Sequence, residues 1–405
     1  MTIEELKKYE EEYVFVVPSS SSQSLLTDDD INEKYLKGEV RIVTEQARYP
    51  LKSIPEMFSS KEYILNPDFQ RRHRWDVVKQ SRLIESFIIN VPIPPIFLYE
   101  KEFSVYEVMD GLQRITAIKE FYENKFELKG LEQWTELNGR TYSTLPEQIQ
   151  KGIDRRYLSS IILLKETAKD EIEAASLKQL VFARINSGGA KLEDQESRNA
   201  QYPGKFNKML MELARDSYFC QIFDIPQKTE GENLETDSIS EDLKNNSKFR
   251  TMKDVETVLR FFALRKIDAW GDSTFTNFLD RYANATTSIS EDAVSAYSLL
   301  FKRTIRLAYE LFGDYTFCMW RENKLTHKYS WSKNPTMVMY DSMMCVLSDY
   351  INDEGLLVAK KEEIVERTKE MFSDANFANG RNTSQANLKN RIKSLKSMMD
   401  SICNL

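Results

Sequence analysis

Along the chain, the spacing of apolar positions changes character twice. Thr2 with Glu5 reads as a capping box that opens a first helix. A polar, serine-rich stretch follows over Ser19–Ser24, then an acidic helix start at Asp28–Asp30. Arg41–Thr44 predicts a short strand and Leu51–Phe58 a helical turn. Beyond Ser60 strands alternate with helices. The spacing predicts a helix over Lys79–Asn90, a proline-bounded strand over Ile96–Tyr99, a strand over Tyr106–Met109 and a helix over Arg114–Tyr122. A strand over Ile161–Lys165 and a helix over Ala174–Ile185 complete this part. Ser187-Gly188-Gly189 breaks the pattern, and Leu192–Ala200 and Lys205–Ala214 read as helices.

No strand is predicted beyond residue 215. The hydrophilic stretch Gln227–Lys248 carries Glu230, Glu232, Glu235, Asp237, Glu241 and Asp242 and reads as a solvated loop. Amphipathic helices then follow at Asp254–Ala269, Phe275–Asn284, Glu291–Phe312, Thr336–Tyr350 and Lys360–Phe372. The last helix carries a helical stripe of Leu388, Ile392, Leu395, Met399 and Ile402. No internal repeat is visible. The expected architecture is α+β, with a small mixed sheet and helices in the N-terminal half and an all-helical C-terminal domain. The expected segments are an extension over 1–45, an α+β domain over 46–215 and a helical domain over 216–405.

Composition narrows the function classes. The 405 residues carry a formal net charge of −7, with 41% hydrophobic and 29% charged residues, enough to bury a core. With only 13 Gly and 11 Pro, an all-β sandwich or barrel is not expected. The longest apolar run, Ile88–Tyr99, is interrupted by Asn90 and three prolines, so no membrane span is expected. The charged N-terminus has no apolar stretch of signal-peptide type. Cys220, Cys318, Cys345 and Cys403 are widely spaced with no CxxC pair, which fits a reducing cytoplasm better than a disulfide framework. Two histidines, His73 and His327, exclude HExxH metalloproteases, His-ligated zinc and an HNH nuclease motif. The acidic total argues against wholesale nucleic-acid coating but leaves room for a local basic stripe.

Three constellations carry candidate chemistry. In Val108-Met109-Asp110-Gly111-Leu112-Gln113-Arg114 a strand ends, Asp-Gly turns, and a helix begins. Such a junction presents free backbone N–H groups and the positive end of a helix dipole to an anion. Arg114 adds a phosphate donor, Gly111 permits close approach, and Asp110 suits Mg²⁺ or a water. The simpler account makes Asp110 an N-cap and Arg114 a surface charge. The second constellation is Asn66-Pro67-Asp68-Phe69-Gln70-Arg71-Arg72-His73-Arg74-Trp75. With Lys79 and Arg82 it opposes five basic residues to Asp68 and Asp76, and the interleaved aromatics suit phosphate or nucleic-acid contact. A charged surface turn anchored by Trp75 explains the same residues. The third is Phe182-Ala183-Arg184-Ile185-Asn186-Ser187-Gly188-Gly189, followed by Asp194-Gln195-Glu196-Ser197-Arg198-Asn199. Its rival reading is an Arg184–Glu196 bridge pinning two helices. No Walker A loop, GxGxxG or GxSxG occurs. A PD…(D/E)xK nuclease pattern from Pro67-Asp68 to Glu123-Asn124-Lys125 is discounted because Glu-Asn-Lys recurs at Glu322-Asn323-Lys324.

In this order, NPDFQRRHRW, VMDGLQRITAI and FARINSGGAKLEDQESRNAQYPGKF resemble the N-terminal domain family of GmrSD-type restriction endonucleases, within the ParB/sulfiredoxin-like superfamily. The resemblance runs from about Arg48 to Ala214, and Leu112 stands where the family's Asp-Gly-Gln-Gln-Arg motif has its first Gln. It implies a ParB-like nucleotide pocket in which Mg²⁺-dependent NTP binding or hydrolysis regulates action on foreign or modified DNA. Carried over by position, it implies roles for Asp110, Gly111, Gln113 and Arg114, for Gln70 and Arg71, and for Arg184, Asn186, Glu196 and Arg198. The resulting expectation has Arg71, Arg114 and Arg184 on phosphates, Asp110 on metal or water, and Gln70 and Gln113 orienting groups. A second expectation is a DNA-binding or modification-sensing module without turnover, using Arg71, Arg72, Arg74 and a C-terminal face of Lys389, Arg391, Lys393 and Lys396. A ParB-like nuclease is the third. Since GmrSD-like systems cut with a separate HNH domain, cleavage implies a partner nuclease; a homo-oligomer is left open.

Overall fold

The computed structural model describes residues 5–6, 9–10, 27–29, 32–33, 42–65, 75–165, 174, 177–178, 180–182, 184–185, 193–234, 239–322, 327–372, 377 and 384–403. The chain forms two compact units, Ser20–Leu192 and a second built from Met1–Ser19 with Glu193–Leu405. The division thus falls at Leu192/Glu193, ahead of the residue 215 expected from the sequence.

The first unit holds a five-stranded sheet: β1 (Thr44–Pro50), β2 (Tyr63–Ile64), β3 (Ile96–Glu102), β4 (Val105–Asp110) and β5 (Tyr157–Leu163), in the order β1-β5-β3-β4-β2. Pairing is mixed: β1/β5 and β3/β4 are antiparallel, β5/β3 and β4/β2 parallel. Helices α1 (Ile54–Met57), α2 (Val77–Ile88), α3 (Leu112–Tyr122) and α4 (Glu147–Asp154) belong to the same unit. The α+β expectation and its central strands hold. The strand expected at Arg41–Thr44 lies instead at Thr44–Pro50, and β2 and α4 were not expected. β1 escapes period-2 reading because it is a mostly exposed edge strand in which only Ala47 and Tyr49, on one face, pack on the core. The rings of Tyr49 on β1 and Tyr63 on β2 meet edge-to-face at 6.3 Å, so the two ends of the sheet curl towards each other.

β4 is buried on both faces. Period-2 alternation puts Tyr106, Val108 and Asp110 on one side, where Val108 joins Leu98, Ile84, Phe87, Ile115, Ile118 and Phe121 in the core. On the other side the buried Glu107 receives the Lys178 ammonium at 2.6 and 2.7 Å, and that ammonium also lies over the Tyr99 ring. A buried carboxylate needs such partners.

α2 begins where Asp76 accepts the Lys79 N–H at 2.8 Å, and it buries Leu83, Ile84 and Phe87. On the same helix the buried Glu85 accepts backbone N–H groups of Glu132 (3.1 Å), Gln133 (2.7 Å) and Trp134 (2.9 Å). Burial alone would raise its pKa, but the three N–H donors and nearby Arg82 outweigh it and hold the carboxyl below the usual 4.5. A depressed folded-state pKa means stability that is present above the unfolded value and lost as pH falls through the folded one. Glu85→Gln is therefore expected to destabilise the unit by about 2–3 kcal/mol at neutral pH. The difference from the parent should shrink as pH falls below 4.5 in urea titrations. A pH-independent difference would refute the assignment.

The second unit is helical, as expected. It contains α5 (Asp194–Gln201), α6 (Lys205–Leu213), α7 (Ser217–Ile222), α8 (Glu241–Asn245), α9 (Ser247–Arg250), α10 (Lys253–Leu264), α11 (Phe275–Ala285) and α12 (Glu291–Phe312). After a two-stranded hairpin, β6 (Trp320–Glu322) and β7 (Tyr329–Trp331), come α13 (Met337–Asp349), α14 (Glu354–Ala359), α15 (Lys361–Met371) and α16 (Gln385–Cys403). Hydroxyl caps start the long helices: Ser290 accepts from Ala293 N–H at 3.2 Å before α12, and Thr336 from Met339 N–H before α13. α13 is buried around almost its whole circumference, which fits its near-continuous apolar sequence.

Three expectations are corrected here. β6 and β7 lie beyond residue 215, where no strand was expected, and three-residue strands are too short to show periodicity. α8 and α9 occupy the end of the polar stretch read as loop. Within the segment expected to be an extension, Leu6 is fully buried in the helical core and Glu10 pairs with Arg265 at 3.1 Å. Thr2 of the expected capping box lies outside the described residues. Among the described residues, no helix is long and apolar enough to cross a membrane.

Candidate functional site

β4 ends at Asp110, paired with Phe97 of β3, and α3 starts two residues later. The intervening Gly111 has φ +101°, in the left-handed region. An added Cβ would lie 2.3 Å from Ile96 Cγ2 and 3.2 Å from Ile96 Cα, so only glycine fits between strand and helix. The first intrahelical bond runs from Ile115 N–H to Gly111 O at 3.0 Å. The N–H groups of Leu112, Gln113 and Arg114 therefore stand at the positive end of an 11-residue helix.

The side chains there are tied to the frame. The Arg114 guanidinium donates to Asp110 Oδ2 at 2.5 Å, to the Pro95 carbonyl at 3.1 Å and to the Pro94 carbonyl. Its side chain is only 12% exposed, against 28% for Asp110. Arg114 thus fixes the Asp110 carboxylate and the chain entering β3, and its charge is balanced one-to-one. Gln113 Oε1 accepts the Trp75 N–H at 3.1 Å, and Lys79 sits 4.9 Å over the Trp75 ring. This bond joins the Asp-Gly-Leu-Gln-Arg turn to the last residue of the NPDFQRRHRW segment.

Gln70, Arg71, Arg72, Arg74 and Asn186 lie outside the described residues. Arg184 is exposed on a helical segment of the first unit. Glu196 and Arg198 belong to the helical unit. Glu196 accepts the Glu193 N–H at 3.0 Å in a capping box that opens α5. Arg198 is buried between Asp280 (2.7 Å), Glu256 (2.8 Å) and Gln195 (3.2 Å), where it joins α5, α10 and α11. The basic face expected on the last helix loses its centre: Arg391 is buried, bonded to the Phe377 carbonyl at 3.3 Å and set over that ring. Burial pushes its pKa below the ordinary arginine value. The sequence carries the signal for this, since 391 follows Leu388 by three and precedes Leu395 by four, on the apolar stripe. Lys389 pairs with Asp268 at 2.6 Å and Lys396 with Asp349 at 3.8 Å, while Lys393 is exposed.

The buried Glu107–Lys178 pair was missed from the sequence. Its one local signal is a glutamate inside an otherwise apolar strand, Val105–Asp110. Among the described residues, no three His, Cys, Asp or Glu side chains gather as a metal cage.

A mixed sheet with a strand–glycine–helix turn defines this unit as an α+β domain of a kind suited to holding an anion at a helix start. Residues 54–203 match the model of the GmrSD restriction endonuclease N-terminal domain, the family that the three sequence motifs resemble. No curated protein and no solved structure matches the chain.

Proposed function

We propose that the chain is a nucleotide-binding component of a prokaryotic restriction or anti-phage system, hydrolysing an NTP with Mg²⁺ to regulate action on foreign or modified DNA. The observation that carries this reading is the Asp110-Gly111-Leu112-Gln113-Arg114 junction. It sets three helix-start N–H groups beside a carboxylate held in place by an arginine. Its position inside the GmrSD-type domain supports the restriction context and DNA as the molecule acted upon.

The donor set bears on the metal. A single carboxylate paired with Arg114 is too little for a resident Mg²⁺ but suits an ion that arrives on the substrate's phosphates. Asp110 would hold that ion, which supplies charge neutralisation at the phosphates when bound. The N–H groups of Leu112, Gln113 and Arg114 receive a phosphate oxygen, and Arg114 acts by positioning Asp110 rather than through a free guanidinium. Gln113 keeps the arginine-rich segment's exit at Trp75 next to the turn. Such fixed charge and dipoles are the main resource of phosphoryl transfer.

Purified chain with Mg²⁺ is expected to release phosphate from at least one of the four NTPs, and Asp110→Ala to abolish release while the far-ultraviolet circular dichroism stays unchanged. Binding without turnover of any NTP would reduce the protein to a nucleotide sensor; no binding at all would refute the reading.

A further inference from the structure

Trp320 and Trp331 face each other on the β6–β7 hairpin as a cross-strand pair, 5.3 Å between ring centroids. Both are half-buried and pack on the helical core, Trp331 against Phe312 and Phe372. Each tryptophan carries a tyrosine stacked upon it. Tyr315 lies on Trp331 at 5.9 Å and 18° between planes, and Tyr329 on Trp320 at 6.3 Å and 25°. The two tyrosines are 52% and 56% exposed. A ring whose inner side is stacked and whose orientation is fixed offers its outer face to solvent at little further entropic cost.

The surroundings are cationic on an acidic protein. Among the described residues from Gly313 to Asn334, Arg321, Lys328 and Lys333 stand against Asp314 and Glu322, a local net of +1 on a chain of −7. Arg321, Lys328 and Lys333 are exposed, and Glu322 lies 2.9 Å from His327. A buried anchor alone would need neither exposed rings nor this charge. We infer that the β6–β7 hairpin with Tyr315 is a contact surface for single-stranded or locally unpaired DNA, in which Tyr315 and Tyr329 stack on bases and Lys328 and Lys333 meet phosphates. Flat rings select a partner with π-faces, and the lysines select a polyanion; DNA with accessible bases has both. This surface lies wholly within the helical unit and does not depend on the nucleotide reading.

The test measures fluorescence anisotropy of labelled oligothymidylate on the full chain without NTP, beside an abasic oligomer of equal length, a blunt duplex and polyglutamate as competitor. The thymidylate is expected to bind more tightly than the abasic strand or the duplex. Tyr315→Leu and Tyr329→Leu should each weaken it roughly five- to hundred-fold, while the phenylalanine variants keep binding. Lys328→Ala with Lys333→Ala should flatten the slope of log affinity against log salt by about 0.7 per contact. Equal affinity for the abasic strand, unaltered binding by the leucine variants, or equal competition by polyglutamate would overturn the inference. Both tyrosines are surface residues, so an unchanged far-ultraviolet circular dichroism spectrum and melting temperature in the leucine variants keep the result interpretable.

Discussion

Gly111→Ala is expected to destabilise the α+β unit by about 2–6 kcal/mol and to abolish the proposed nucleotide binding. Two effects combine. A non-glycine residue at φ +101° carries strain of about 1–3 kcal/mol. The added methyl would also sit 2.3 Å from Ile96 Cγ2 and 3.2 Å from the Ile96 backbone, and overpacking of that kind costs about 1–3 kcal/mol. The strand cannot yield, because Ile96 is fully buried and pairs with Ser160 of β5. Relief must come from α3 moving away, which would part Arg114 from Asp110 and from the Pro94 and Pro95 carbonyls. Urea unfolding followed by fluorescence of Trp75 and Trp134, which lie in this unit, measures the first effect, and titration with NTP the second. A variant of parental stability would mean the turn relaxes, and the site's dependence on its geometry would fall with it.

The second large effect is expected in the helical unit. Glu10→Ala should lower the stability of the helical unit by about 3–5 kcal/mol, the range for removing one partner of a buried ion pair. Both Arg265 and Glu10 are buried, joined at 3.1 and 3.3 Å, and Arg265 donates further to Ser348 Oγ at 2.5 Å. Without Glu10 the guanidinium is left in the core beside Lys266 with its carboxylate gone. The double variant Glu10→Leu, Arg265→Met should recover most of the loss, since removing both charges removes the unpaired one. Thermal unfolding of the two variants decides it: if the double variant is as unstable as Glu10→Ala, packing of the segment around Leu6, rather than charge, dominates.

The legible parts of this protein are those whose cause is local. Ile96–Tyr99, Tyr106–Met109 and Arg114–Tyr122 fell where their spacing put them, because period and turn residues lie within a few positions of each other. The Asp-Gly turn was legible for the same reason: a strand, a glycine and a helix start adjoin in sequence. β1 was displaced because a mostly exposed edge strand with only Ala47 and Tyr49 turned to the core offers too short a period to read. The hairpin at Trp320–Trp331 was missed because three residues per strand cannot show a period. Arg391 was assigned to a basic surface by residue type, although its spacing from Leu388 and Leu395 already placed it on the buried stripe.

Sequence alone determined the α+β and helical halves, the strand–glycine–helix junction and the family resemblance, since each rests on residues near one another along the chain. Tertiary structure decided which charges are occupied and which are open. Whether Arg114 or Arg198 has a guanidinium to spare depends on the Pro94 and Pro95 carbonyls, Glu256 and Asp280, and most of these lie tens of residues away. A charge's work is set by its neighbours' distance and desolvation, and those exist only once the chain has folded.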